Sequence, residues 1–108
     1  MDIAFRETTA FSKAADRLFS SEELRALQLR LLLDPAAGRL MPGTGGLRKL
    51  RWVWRHQGKR GGVRVVYFWV VSRHRIYLLA AYPKSERDDL TVAESRALRA
   101  LVAADDRE

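Results

Sequence analysis

The sequence predicts an α+β domain: two N-terminal helices and a C-terminal helix around a small, twisted, mainly antiparallel sheet. Three observations carry that reading. Two segments near the N-terminus repeat apolar residues at helical spacing. Three consecutive central segments are rich in β-branched and aromatic residues, with short linkers between them. A last amphipathic segment ends the chain. This order is expected to pack the helices on one face of the sheet and leave the other face open.

Taken in turn, "DIAFR" reads as a short first strand. "TTAFSKAADRLF" places Phe11, Ala14, Ala15, Leu18 and Phe19 at helical spacing. "SSEELRALQLRLLLDP" sets Ser20 and Glu23 at capping-box spacing and repeats Leu24, Leu27 and Leu31. It must stop at Asp34, because the following proline disfavours helical backbone in the residue before it. "PAAGRLMPGTGG" reads as a glycine- and proline-rich loop too irregular for strand pairing. "LRKLRWVW", "VRVVYFWVV" and "RIYLLAAY" are strands, and linkers centred on "GKRGG" and "SRHR" make them an antiparallel meander. The last helix begins at Thr91, where Glu94 completes a second capping box, and lines up Leu98, Leu101 and Val102.

Composition limits what this fold can do. At 108 residues the chain is read as one domain, residues 1–108, with room for a single core. No apolar run reaches the roughly 18 residues of a spanning helix, and "MDIAFRE" lacks a signal peptide's layout, so a soluble cytoplasmic protein is expected. Zero cysteines exclude disulfides and thiolate chemistry, and two scattered histidines argue against a metal site, so neither metal nor cofactor is expected.

Net charge is +7, and the excess is local. Between Asp34 and Glu86 no acidic residue occurs against eleven basic ones, whereas both flanking segments are slightly acidic. A one-signed field repels itself, which makes a polyanion the natural partner, and nucleic acid is the commonest. Period-two alternation sets Lys49, Arg51 and Val53 opposite Arg48, Leu50, Trp52 and Trp54, and it groups Arg64, Val66, Phe68 and Val70. Charge for phosphates and rings for bases suit single-stranded RNA, although at least half of the aromatic residues are expected to be core.

"MPGTGGLRKLRW", "GKRGGVRVVYF" and "IYLLAAYPKSERDDLT" resemble, in order across about residues 42–91, the signatures of the HigB branch of RelE-like toxins from bacterial type II toxin-antitoxin modules. The resemblance implies the RelE-like toxin fold and a small basic endoribonuclease that enters the ribosomal A site and cuts mRNA. It also implies a cognate helix-turn-helix antitoxin as a partner.

Cleavage by RNA's own 2'-hydroxyl requires that hydroxyl to lose its proton, the pentavalent phosphate to be stabilised, and the 5'-oxygen to be protonated. Arg64 suits the second task. Its planar fork matches phosphate oxygens, and a strand start beside a glycine turn holds it. The resemblance implies a catalytic arginine at this place, and a basic residue after the last strand, here Lys84, as a candidate acid or base. Tyr82 is a candidate proton donor or stacking ring. Lys59 and Arg60 in the turn, with Arg48, Lys49 and Arg51 on the second strand, are expected to bind RNA.

Three other features are weaker candidates. His56 lies among basic residues that disfavour its protonated form. Glu86 is expected to pair with an arginine, and "PGTGG" lacks the spacing of a phosphate-binding loop. Two alternatives stay open: a ParE-like gyrase poison on the same fold, and a non-catalytic RNA-binding module.

Overall fold

The computed structural model describes residues 2–54 and 62–106. Strand β1 (Ala4–Glu7) leads into helices α1 (Thr9–Leu18) and α2 (Ser21–Leu33). Strands β2 (Arg39–Leu40), β3 (Arg48–Trp52) and β4 (Val63–Val70) follow, then a 3-10 turn at Val71–Arg73, β5 (Arg75–Pro83) and helix α3 (Val92–Asp106). The sheet order is β1-β5-β4-β3-β2, with β1 parallel to β5 and every other pair antiparallel.

Helix starts follow the expected side-chain chemistry. Thr8 Oγ1 accepts from the Phe11 amide at 2.9 Å and Ser20 Oγ accepts from Glu23 at 3.0 Å, so each satisfies an amide left open by the first turn. At α3 the capping box is reciprocal: Glu94 N–H donates to Thr91 Oγ1 at 3.1 Å and Thr91 N–H to Glu94 Oε1 at 2.8 Å. In α2 the Glu23 carboxylate turns inward and accepts from Trp52 Nε1 at 3.0 Å, which ties the helix to β3.

The loop between α2 and β3 departs from expectation, because Arg39 and Leu40 pair with Lys49 and Arg48. Positive φ at Gly43, Gly45 and Gly46 provides the reversal, and Thr44 clasps it by donating to the Met41 carbonyl at 2.7 Å and accepting from the Leu47 amide at 3.1 Å. The glycines thus make the pairing possible rather than prevent it.

The placing of all helices on one face is also corrected. One face packs Leu50, Val65, Tyr67 and Leu78 against Phe11 and Leu18 of α1 and Leu27 and Leu31 of α2. The other packs Leu47, Val66, Tyr77, Leu79 and Tyr82 against Val102 and Leu98 of α3. Because β4 is apolar on both of its faces, both need cover.

Register slips once. Val66 faces Ala80 but Tyr67 faces Leu78, leaving Leu79 as an extra residue on β5. The Leu79 carbonyl accepts from Thr8 Oγ1 at 2.8 Å, and the Leu78 carbonyl from the Thr8 amide at 3.1 Å, so the α1 cap also pins the bulge.

Tyr67 is fully buried, and burial pushes its phenol above the ordinary value. Its hydroxyl donates to the Pro35 carbonyl at 2.7 Å and accepts from the Gly38 amide at 2.8 Å, which fastens the loop after α2 to the sheet. A Cβ on Gly38 would lie 2.7 Å from Tyr67 Cε1. Tyr67→Phe should therefore leave two backbone groups unpaired and cost about 1–3 kcal/mol in urea unfolding without changing the far-ultraviolet circular dichroism.

Candidate nucleic-acid interface

Strand register assembles a cross-strand row from residues far apart in sequence. Arg51 of β3 pairs with Arg64 of β4, and Arg64 pairs with Tyr82 of β5. Directly paired residues project from the same side of a sheet, here the side that carries α3. The row sits where β4 begins and β3 and β5 end, beyond the apolar packing of Val66 and Leu79. Gly62 sets its edge: φ is +79°, and a Cβ would approach the Trp52 carbonyl to 2.6 Å, so only glycine lets β4 enter beside β3 two residues before Arg64.

Arg51 is exposed, Arg64 is half-buried and Tyr82 is only 7% exposed. Among the described residues, Tyr82 Oη is a buried hydroxyl without a hydrogen-bond partner. Such an atom is costly unless something arrives to use it. Burial, and secondarily the Asp89 carboxylate, raise its pKa above the ordinary phenol value, against the pull of Arg87 and Arg64. At neutral pH it is a protonated donor.

The remaining predicted residues divide. Lys84 is exposed just beyond β5, and its amide donates to the Gly62 carbonyl at 3.1 Å, which extends the strand pairing past Pro83. Lys49 shares the row's face, two pairs further along, and forms an ion pair with Asp89 at 3.4 Å. Arg48 lies on the opposite face and donates to the carbonyls of Gly38 at 2.8 Å and Ala36 at 3.3 Å, so it is not brought to the row. Lys59, Arg60 and His56 lie outside the described residues. Glu86 does pair with an arginine, Arg17, at 3.6 Å.

At the far end of the sheet the basic segment is neutralised by α3. Asp106 lies 3.4 Å from Arg73 and 3.7 Å from Arg75. Asp105 accepts from Arg6 and from Tyr77 Oη, each at 2.6 Å, and the Tyr77 bond holds its carboxyl below the usual range. At the opposite end Arg51 and Lys84 are exposed beside Arg64. Among the described residues no cluster of acidic or histidine side chains could hold a metal, and no helix is long and apolar enough to cross a membrane.

No protein-family model matches the chain. Solved structures do. A doubly substituted E. coli toxin RelE in the free state superposes with a TM-score of 0.62 over 92% of this chain and 98% of that one, at 17% identity. The isolated E. coli RelE toxin gives 0.57 over 93% and 99%, at 16% identity. A chain of the intact E. coli RelBE toxin-antitoxin complex gives 0.57 over 76% and 96%, at 17% identity. The chain has the RelE toxin fold. The three helices and five-stranded mixed sheet of the described residues meet the α+β expectation. Identity this low speaks to the backbone, so the chemistry rests on the side chains present here.

Sequence reasoning missed one group of residues in this region. Arg87 stands over the Tyr82 ring, its guanidinium carbon 5.3 Å from the centroid. It is held by both oxygens of Glu94, one bond at 2.9 Å and one shorter, and by the Asp89 carbonyl at 2.9 and 3.1 Å. Seven residues separate Arg87 from Glu94, and a capping-box glutamate already has an assigned task, so no local signal singled out the pair.

Arg87 is the main cause holding the Glu94 carboxyl at about 2 instead of 4.5. A carboxyl depressed on folding stabilises the protein above its unfolded value and loses that contribution as pH falls through its folded value. In thermal melts, the gap between the wild type and Glu94→Gln should be constant from neutral pH to about 5, shrink below 4.5 and vanish near 2. With the side chain 42% exposed, the gap should be no more than about 1 kcal/mol after solvent screening.

Proposed function

We propose that this protein is the toxin of a type II toxin-antitoxin module, a ribosome-dependent, metal-independent endoribonuclease of HigB type that cleaves mRNA in the A site. The observation that carries the reading is the row Arg51, Arg64, Tyr82, where Arg64 lies between Arg51 and a buried phenol that has no partner among the described residues. The RelE toxin fold and the three HigB-like sequence signatures support it independently.

Each residue then has a task. Arg64 donates to the non-bridging oxygens as the 2'-oxygen bonds to phosphorus and negative charge builds there. Tyr82, kept neutral by burial, donates its proton to the 5'-oxygen as the bond from phosphorus to that oxygen breaks. Lys84 neutralises charge beside the row or carries the proton that leaves the 2'-hydroxyl. Arg51 and Lys49, with Lys59 and Arg60, hold the backbone on either side. A cognate helix-turn-helix antitoxin that covers the basic face would restrain the enzyme, in keeping with the RelBE assembly of one neighbour.

A gyrase poison on the same fold would need no phosphate-matched arginine beside a proton donor, so the row favours the nuclease. Expressed alone in bacteria, the protein should arrest growth and cut mRNA within coding regions in minutes. Arg64→Ala should lower cleavage on the order of 100-fold or more while keeping the wild-type far-ultraviolet circular dichroism, and Arg64→Lys should recover only part, since it keeps charge and loses the fork. Tyr82→Phe removes a hydroxyl that makes no bond among the described residues, so it should leave the melting temperature unchanged or slightly higher and still slow cleavage about 10-fold or more.

With so little acid-base power of its own, the site must gain much of its rate from an RNA placed for it. Purified protein should leave naked RNA largely intact and cleave the same RNA in a translating extract. Efficient cutting of free RNA would contradict the ribosome dependence.

A further inference from the structure

We propose that Arg87 is a positioning residue for the cleavage reaction: clamped by Glu94 and the Asp89 carbonyl, it holds the Tyr82 ring so that the hydroxyl stays in the row with Arg64. This rests on the nuclease reading above and adds a residue to it.

The ring needs such a support. Beside Tyr82 lies a cleft of about 280 Å³ whose walls include the small side chains of Ala10, Ala80 and Ala97. Side chains in a tightly packed interior are held by their neighbours, and a ring that borders a cleft lacks such contacts on that side. No hydrogen bond among the described residues fixes the hydroxyl either. The guanidinium carbon, 5.3 Å from the ring centroid, supplies what packing does not.

Arg87 is itself fixed by several bonds. Its Nε and one terminal nitrogen bond to the Asp89 carbonyl, and both terminal nitrogens reach the Glu94 carboxylate. The arginine is thereby committed to protein partners on its donor edge, and its guanidinium carbon stands over the ring. An arginine that gripped RNA would have its fork turned outward instead. Glu94, in turn, is fixed at the first turn of α3 by its reciprocal bonds with Thr91. The start of α3 is thus coupled to the orientation of a buried phenol.

The test is a double-mutant cycle in the translating extract, with kcat and KM for mRNA cleavage measured for the wild type, Arg87→Ala, Tyr82→Phe and the double variant. Arg87→Ala should lower kcat about 10-fold with KM within about twofold. In the Tyr82→Phe background the same change should have almost no further effect, because there is no hydroxyl left to orient. Arg87→Lys, which keeps the cation over the ring but cannot reproduce both anchoring contacts, should recover part of kcat. A purely structural role would lower the rate equally in both backgrounds. Additive losses, or a rise in KM at constant kcat, would overturn the proposal while leaving the nuclease intact. A wild-type protein that leaves mRNA whole would remove both.

Discussion

The site depends on one residue too many in β5. Because Leu79 is unpaired against β4, the alternation of the strand is offset by one beyond it, and Tyr82 emerges on the α3 face. Without the bulge, Tyr82 would share its face with Ile76 and Leu78, inside the packing of α1 and α2. Arg64 would then sit beside a small apolar residue, and no donor would stand next to it. The bulge is stabilised from outside the hairpin, by the Thr8 hydroxyl on the Leu79 carbonyl and the Thr8 amide on the Leu78 carbonyl. That same hydroxyl opens α1. One threonine therefore joins the first strand, the first helix and the register of the strand that carries the phenol.

Charge is organised by the same topology. The acidic C-terminus of α3 lies over the far end of the sheet and meets Arg6, Arg73 and Arg75 there. The N-terminal turn of α3 instead spends Glu94 on Arg87, and Asp89 just before it faces Lys49. A run of basic residues that looks uniform in sequence is thus graded in space. One end pairs with α3 and builds the fold, and the other brings Arg51, Arg64 and Lys84 beside a hydroxyl that has no partner among the described residues.

Much of this was readable in the sequence where the signal is local. The cap residues Thr91 and Glu94, the stop at Asp34, the meander and the confinement of the basic run are each set by chemistry within a few residues. Long-range outcomes were not. The pairing of Arg39 and Leu40 depends on glycines clasped by Thr44, and glycine content alone reads as loop. The choice of face for α3 follows from β4 being apolar on both sides, which alternation cannot separate from a strand with one open face. The bulge has no composition of its own, since Leu79 looks like any other strand leucine. The phenol marks Tyr82 in the sequence by its chemistry, but the reason it stands beside Arg64 lies in that unmarked leucine.

The most direct test of the central claim is the chemistry of the cut ends. An internal attack by the 2'-hydroxyl, stabilised by Arg64, leaves a 2',3'-cyclic phosphate on the upstream fragment and a 5'-hydroxyl on the downstream one. Sequencing of mRNA ends from a translating extract treated with the wild-type protein should find both, at the same positions, within codons on ribosomes. Ends bearing 3'-hydroxyl and 5'-phosphate groups, or transcripts left whole, would contradict the account.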